Sequence, residues 1–428
     1  MSGAGAGIVA ARWPAVAVWL AAPGPALSIG RTEGTPVATL VADGIQLAGA
    51  YDPAAEAALQ AELVPPDARR ATCYGIGQGE LPRALLAREA LAALDVVLFH
   101  PGLARAVFAG ADPTDWLADP RLTLSLARDH AELAPPFAAA PADLRLAERD
   151  AIRLADLVRL ELATPHIRRH LRAGEEEIAR RLAANRDLVA ADGDVAELFG
   201  TARGASILVA APGPSLADHY GMLRERGGRP LIAVDAALQP CLAAGVRPDV
   251  AVAVDPHRHG PEFLLAASAA ATAGITLVYD PVVPRAALER WAGRRLAMYA
   301  SGPRHEALRR ILPRGELWSS GSVLHPAVAL AVAMGAAEVV LCGADFAILG
   351  GASHVAGFAW RKELAARPGG ATVENGFGER VPSLPNLVGY LRDLERFLAR
   401  HPGVRWINAS RRGARIAGTR YPEEVHGR

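Results

Sequence analysis

From residue 206 onward the hydrophobic positions stop alternating with polar ones and come in short unbroken runs. These are SILVAA, PLIAVD, DVAVAVD, ITLVYD, RLAMYA and EVVLCGAD, each ended by Asp, Pro or Gly, with helical stretches between most of them. Uninterrupted apolarity suits a strand covered on both faces, and strand-helix alternation predicts a parallel sheet. The expected class is therefore α/β, with a Rossmann-like parallel-sheet domain over residues 204–428.

Two other textures lie upstream. Residues 1–145 mix short apolar runs with Pro- and Ala-rich turns. There, ATCYGIGQGELPRALLA leading into LDVVLFHP reads as strand, glycine turn, helix and strand, a smaller Rossmann-like α/β domain. Residues 146–203 place apolar positions three and four apart with Arg and Glu between, which predicts a helical bridge between the two lobes. The apolar run Val323 to Ala337 holds His325 and Pro326 and is too short to span a bilayer, so it reads as a buried helix. Near the N-terminus, IVAARWPAVAVWLA has no preceding basic residue and is interrupted by Arg12 and Pro14, which argues against an export signal. The expectation is a soluble, cytoplasmic protein without a membrane span.

Composition changes this picture little. A formal net charge of +1 provides no global field to draw the protein to nucleic acid. The abundance of arginine beside a single lysine, Lys362, reflects genome composition rather than function. Cys73, Cys241 and Cys342 are far apart and form no C-x-x-C pair, so neither structural zinc nor a disulfide framework is expected.

Candidate chemistry lies in the turns after the strands, where ligands of open parallel sheets sit. The first is Gly213, Pro214 and Ser215 in ILVAAPGPSLAD. Glycine permits an unusual backbone, proline suits the first helical position, and the helix start offers N–H groups to an anion. No Gly-Lys-Ser/Thr follows, so this is not a Walker loop, and a plain strand-to-helix turn is the competing reading. Asp235 and Asp255 end two later strand runs. Such a carboxylate can hold a ribose or a magnesium ion, and Asp235 would equally cap the helix it precedes.

The run SSGSVLHP offers Ser319, Ser320, Gly321 and Ser322 as a hydroxyl-rich turn before a helix, suited to phosphate or sugar. Asp345 follows the next strand in CGADF and is a candidate catalytic residue, and the Gly-rich stretch around Ser353 and His354 reads as a mobile active-site loop. His354 is a candidate general base, against the plainer reading of a surface histidine. His257 and His259 flank Arg258 after Pro256, but no third ligand is spaced to complete a metal site, and Arg258 reads as a counter-charge for phosphate or carboxylate. No metal ligand set is expected. In the first lobe, Gly75, Gly77 and Gly79 could cradle a nucleotide, although His100 stands where an acidic residue is usual.

Taken in order, GPSL at 213–216, IAVDAAL, LAAGVRPDVAVAVDP, GSV…LAVAMGAAEVVLCGADFA and NASRRGARIAGT resemble the motility-associated factor family of bacterial glycosyltransferases. The archaeal hydroxymethyl-dihydropterin diphosphokinases share that core domain. The resemblance covers residues from about 200 to 420. It implies a sialyltransferase-like core that binds a CMP-activated nonulosonic acid and places the sugar on serine or threonine of flagellin. By position, Gly213, Pro214 and Ser215 would face the nucleotide, and Asp235 and Asp255 would border it. The Ser320, Gly321 and Ser322 turn would hold phosphate or the sugar carboxylate. His354, in the loop after Asp345, would take the acceptor proton. No cofactor is obligatory in that mechanism; the diphosphokinase alternative would use ATP and magnesium, and a non-catalytic binding protein of the same fold is a third reading. Longer members carry a further C-terminal region associated with the acceptor, so the resemblance leaves the acceptor open.

Overall fold

The computed structural model of the chain describes residues 4–23, 26–110, 114–172, 175–255, 264, 267–358 and 370–423. It divides into two compact units, Met1–His166 and Ile167–Arg428. The division falls inside a long helix, Ile152–Arg172. The helical segment expected as a separate bridge is thus shared out, and its later helices belong to the second unit.

The first unit is built on four parallel strands: β1 (Arg70–Tyr74), β2 (Ala93–Leu98), β3 (Leu122–Leu126) and β4 (Phe137–Ala139), in the order β3-β2-β1-β4. Between β1 and β2 come the glycine turn and helix α1 (Glu80–Leu86), whose Leu81 and Leu85 are buried. A small antiparallel three-stranded sheet formed by residues 29–31, 40–42 and 45–46 belongs to the same unit.

The second unit contains an eight-stranded sheet in which every pairing is parallel. Its strands are β5 (Gly193–Asp194), β6 (Ser206–Ala210), β7 (Leu231–Val234), β8 (Val250–Ala253), β9 (Thr276–Tyr279), β10 (Arg295–Ala297), β11 (Glu338–Cys342) and β12 (Arg405–Asn408). The order is β12-β11-β6-β7-β8-β9-β10-β5. All six hydrophobic runs are strands of this sheet, and their side chains are buried as two-sided cover requires. The edge strands β5 and β12 escaped the pattern, one because it is two residues long, the other because RWIN carries polar residues at both ends.

Chain direction across this sheet matters for function. It proceeds from β6 outward to β10 and then returns to β11 on the other flank of β6. Strand order therefore reverses between β6 and β11, where open sheets part to admit ligands. The unit's longer helices after the first strands include α2 (Asp235–Ala243), α3 (Leu324–Ala333) and α4 (Pro385–Ala399). Helix α3 carries no charge and is buried from Leu324 through Ala331, as its unrelieved apolar sequence demands. Helix α4 is two-faced instead and buries Val388, Leu391, Leu394 and Leu398. Among the described residues no helix is long and apolar enough to cross a membrane. The three cysteines are buried and unpaired.

Candidate functional site

The turn after β6 is fastened rather than open. Gly213 donates its N–H to the Gly343 carbonyl at 2.9 Å, joining the turns that leave β6 and β11. Backbones meet so closely that a side-chain carbon on Gly213 would lie 2.3 Å from that carbonyl oxygen. Glycine is required here by contact, since its φ of −62° is open to any residue. Ser215 is fully buried and gives its backbone N–H to Asp345 Oδ2 at 2.8 Å and its hydroxyl to Asp345 Oδ1 at 2.5 Å. Pro214 to His219 then form a short 3₁₀ turn, not the α-helix start expected for an anion site.

Ser215, read as a nucleotide contact, has spent its donors on the protein. Asp345, read as catalytic, is 2% exposed and acts as the anion that the turn was expected to receive from a ligand. Burial pushes its carboxyl above the ordinary range, and the two Ser215 bonds hold it partly back. Gly213 and Pro214 are half-buried beside this clasp.

Asp235 and Asp255 meet across neighbouring strand ends. Asp235 is 4% exposed at the first position of α2 and accepts the Ala236 N–H at 2.7 Å. Burial, reinforced by the charge of Asp255, pushes its carboxyl up to about 7. Asp255 is half-buried at the rim after β8. Two mutually repelling carboxylates at a strand rim suit a cation or a sugar hydroxyl, though among the described residues no three acidic, histidine or cysteine side chains gather as a metal cage. His257, Arg258 and His259, which follow this strand end, lie outside the described residues.

The serine turn sits where α3 begins. Ser320 donates to Asp393 Oδ2 at 2.6 Å, and Gly321 and Ser322 remain exposed and half-buried respectively. His325, one turn on, is a core residue: its Nε2 is 3.0 Å from the Tyr390 carbonyl and its ring lies 4.4 Å from that of Trp318. Burial drives it down to about 4, so it is neutral near pH 7.

His354 is reached from the fastened turn, because Val355 donates its N–H to the Pro212 carbonyl at 2.8 Å. Its Nδ1 is 2.8 Å from the Ser353 hydroxyl and its ring lies 4.4 Å from Phe358. Burial alone pushes it down to about 4, which leaves it neutral but a weak base.

Sequence reasoning missed a third acidic strand end. Asp280 follows β9 and is 2% exposed; it accepts the Val282 N–H at 3.0 Å and the Ala300 N–H at 3.2 Å. Its Oδ1 lies 2.8 Å from His305 Nε2. The final D of ITLVYD was visible as a strand end but carried no motif. His305, from a different turn, had no sequence signal at all. Ser301 joins this corner to the serine turn by accepting the Ser319 N–H at 3.2 Å. Asn185 braces it from behind, donating to the carbonyls of Pro281 and Val283 at 2.7 and 2.8 Å.

The glycine turn of the first unit is also filled from within. Ile76 and Gly77 donate their N–H groups to the two oxygens of Asp143, at 2.8 and 3.0 Å. Gly75 has φ +90°, and a side-chain carbon there would lie 2.5 Å from Asp143 Cβ. These glycines admit a carboxylate of the protein, not the nucleotide their spacing suggested. A cavity of about 880 Å³ in this unit, bordered by Leu20, Leu27, Ile29 and Arg105, contains none of the expected site residues.

Comparison with known proteins places the second unit's core. Residues 180–351 match the family model described as 6-hydroxymethylpterin diphosphokinase MptE-like. The match bears out the core domain named from the turn motifs, and it begins within the helices that the fold assigns to the second unit. A comparison with curated proteins gives no match. Among solved structures, the chain is similar to one described as MAf glycosyltransferase from Magnetospirillum magneticum AMB-1. That alignment has 16% identity and a TM-score of 0.48, over 99% of this chain and 74% of that one.

Proposed function

We propose that the second unit is a transferase that holds a nucleotide-activated donor along the carboxyl rim of its parallel sheet and passes the activated group to a hydroxyl. The observation that carries this reading is the convergence of Asp235 and Asp255 at neighbouring strand ends of an MptE-like core, beside a reversal of strand order. Burying one carboxylate beside another costs stability, and such costs concentrate where a ligand repays them. The donor is read as a CMP-activated nonulosonic acid and the acceptor as a Ser/Thr hydroxyl of a protein, flagellin, following the order of turn motifs from GPSL to NASRRGARIAGT.

In this reading Asp235 and Asp255 border the ribose, and the exposed Gly321 backbone and the half-buried Ser322 hydroxyl face the donor's phosphate or carboxylate. The clasped Gly213–Ser215 turn forms the floor of the rim instead of a phosphate cradle. Electrostatic support of the departing phosphate is the main catalytic term.

A second reading, transfer of diphosphate from ATP to a pterin alcohol, is favoured by the family model and by the same acidic pair. Asp235 and Asp255 fit a magnesium ion that takes its remaining ligands from phosphate and water. Bound there, magnesium would neutralise phosphate charge during transfer. A thermal-shift series with CMP, CDP, ATP and GTP, each with and without magnesium, separates the two. Stabilisation by CMP without magnesium supports sugar transfer, and a magnesium-dependent response to ATP supports diphosphate transfer. No response to any nucleotide overturns both and leaves a binding protein of the same fold.

A further inference from the structure

We propose that His305, oriented by Asp280, is the proton acceptor of the transfer reaction, in place of His354. The inference rests on the transferase reading above. A carboxylate can only accept, so the 2.8 Å contact between Asp280 Oδ1 and His305 Nε2 fixes the imidazole hydrogen on Nε2. Nδ1 is left with a free lone pair, and this atom is buried without any hydrogen-bond partner. His305 as a whole is 1% exposed. A buried nitrogen with an available lone pair is a site that lacks its donor, and native structures seldom leave such groups unmet. A substrate hydroxyl is the donor that this atom lacks.

The surroundings fit that role. Asp280 ends β9 at the carboxyl rim of the sheet and is itself held by the N–H groups of Val282 and Ala300. The His305 ring is stacked on Tyr299 at 5.3 Å, which fixes its plane. Residues 301–304, immediately before it, are exposed, and Gly302 (φ +116°) has open space around it. The buried imidazole thus follows directly on an exposed turn. Ser301 of this turn bonds Ser319, so the proposed proton acceptor and the serine turn share one corner of the rim. His354 has Ser353 and Phe358 as neighbours, and among the described residues no carboxylate bonds its ring.

In the step itself, the acceptor O–H gives its proton to His305 Nδ1 while the oxygen bonds the anomeric carbon. The bond from that carbon to the donor phosphate breaks, and its electron pair leaves with CMP. Asp280 keeps its bond to Nε2–H and faces the positive charge that forms on the ring.

The test uses the full chain, CMP as binding probe, and CMP release from a CMP-activated nonulosonic acid in the presence of a serine-containing peptide. His305→Gln keeps a donor toward Asp280 but no base. It is expected to bind CMP within about threefold of wild type and to release CMP on the order of 100-fold more slowly. His305→Ala is expected to regain turnover when free imidazole is added, a rescue that a merely structural histidine would not show. Asp280→Asn should lower turnover and shift its pH profile, with CMP affinity retained. Wild-type turnover in His305→Gln, or failure of imidazole to restore His305→Ala while CMP still binds, overturns the inference and leaves the transferase reading standing. A wild-type chain that neither binds CMP nor releases it overturns both.

Discussion

Ser215 gives both its backbone N–H and its hydroxyl to one carboxylate, that of Asp345, 130 residues further along the chain. The pair closes the point where strand order reverses, so its expected role is structural. Ser215→Ala should cost about 1–2 kcal/mol of stability and leave CMP affinity unchanged. Asp345→Ala should cost more, because it strands two buried donors. Gly213→Val should be the most damaging of the three, given the 2.3 Å approach to the Gly343 oxygen. Urea unfolding together with CMP titration checks this. A tenfold loss of CMP affinity in Ser215→Ala at unchanged stability would restore the turn as a ligand contact.

Asp235 predicts a distinct pH signature. An unfolded aspartate loses its proton near pH 4, whereas the folded Asp235 keeps it up to about 7. Between those values the folded chain binds more protons, so stability declines as pH rises from about 4 to about 7 and stays lower above. Asp235→Asn should remove that decline. The variant is expected to match wild type near pH 4 and to exceed it at pH 8, in chemical denaturation at both values. Equal stability of the two at pH 8 would show that the folded Asp235 carboxyl is not raised.

His325 predicts the opposite limb. The unfolded imidazole takes a proton near 6.5 and the folded one only near 4. The unfolded chain binds more protons between these values, so stability is lost as pH falls from about 6.5 to about 4, by on the order of 3 kcal/mol. His325→Gln keeps a donor for the Tyr390 carbonyl and does not titrate, so its unfolding free energy should be flatter across that window by about one proton. An unchanged slope would remove His325 as the cause.

In the first unit, Gly75→Ala should destabilise strongly through contact with Asp143 and an unfavourable positive φ, without changing nucleotide affinity. Thermal melting and CMP titration of the full chain check both halves. Loss of CMP binding in a folded Gly75→Ala chain would return a ligand role to the glycine turn.

The sheet of the second unit was legible because a strand covered on both faces leaves a continuous apolar run, and six such runs became β6 to β11. Strands β5 and β12 were not, since two residues or a polar-flanked RWIN carry no such run. At the rim, the types and places of Asp235 and Asp255 could be read, since both end strands. What local sequence could not reveal was who fills each turn. Gly213–Ser215 and Gly75–Gly79 both look like anion cradles, and only tertiary contacts supply Asp345 and Asp143 as their anions. Asp280 and His305 were hidden for the same reason, being 25 residues apart with no spacing rule between them.

The flanks of β6 have a further consequence for biosynthesis. As the chain emerges, β7 can pair with β6 almost at once, but β11 is made only after some hundred more residues. Until then one edge of this buried strand stands bare, a ready template for mispairing. The turn that β6 carries is thus among the first parts of the rim to be translated and among the last to be locked.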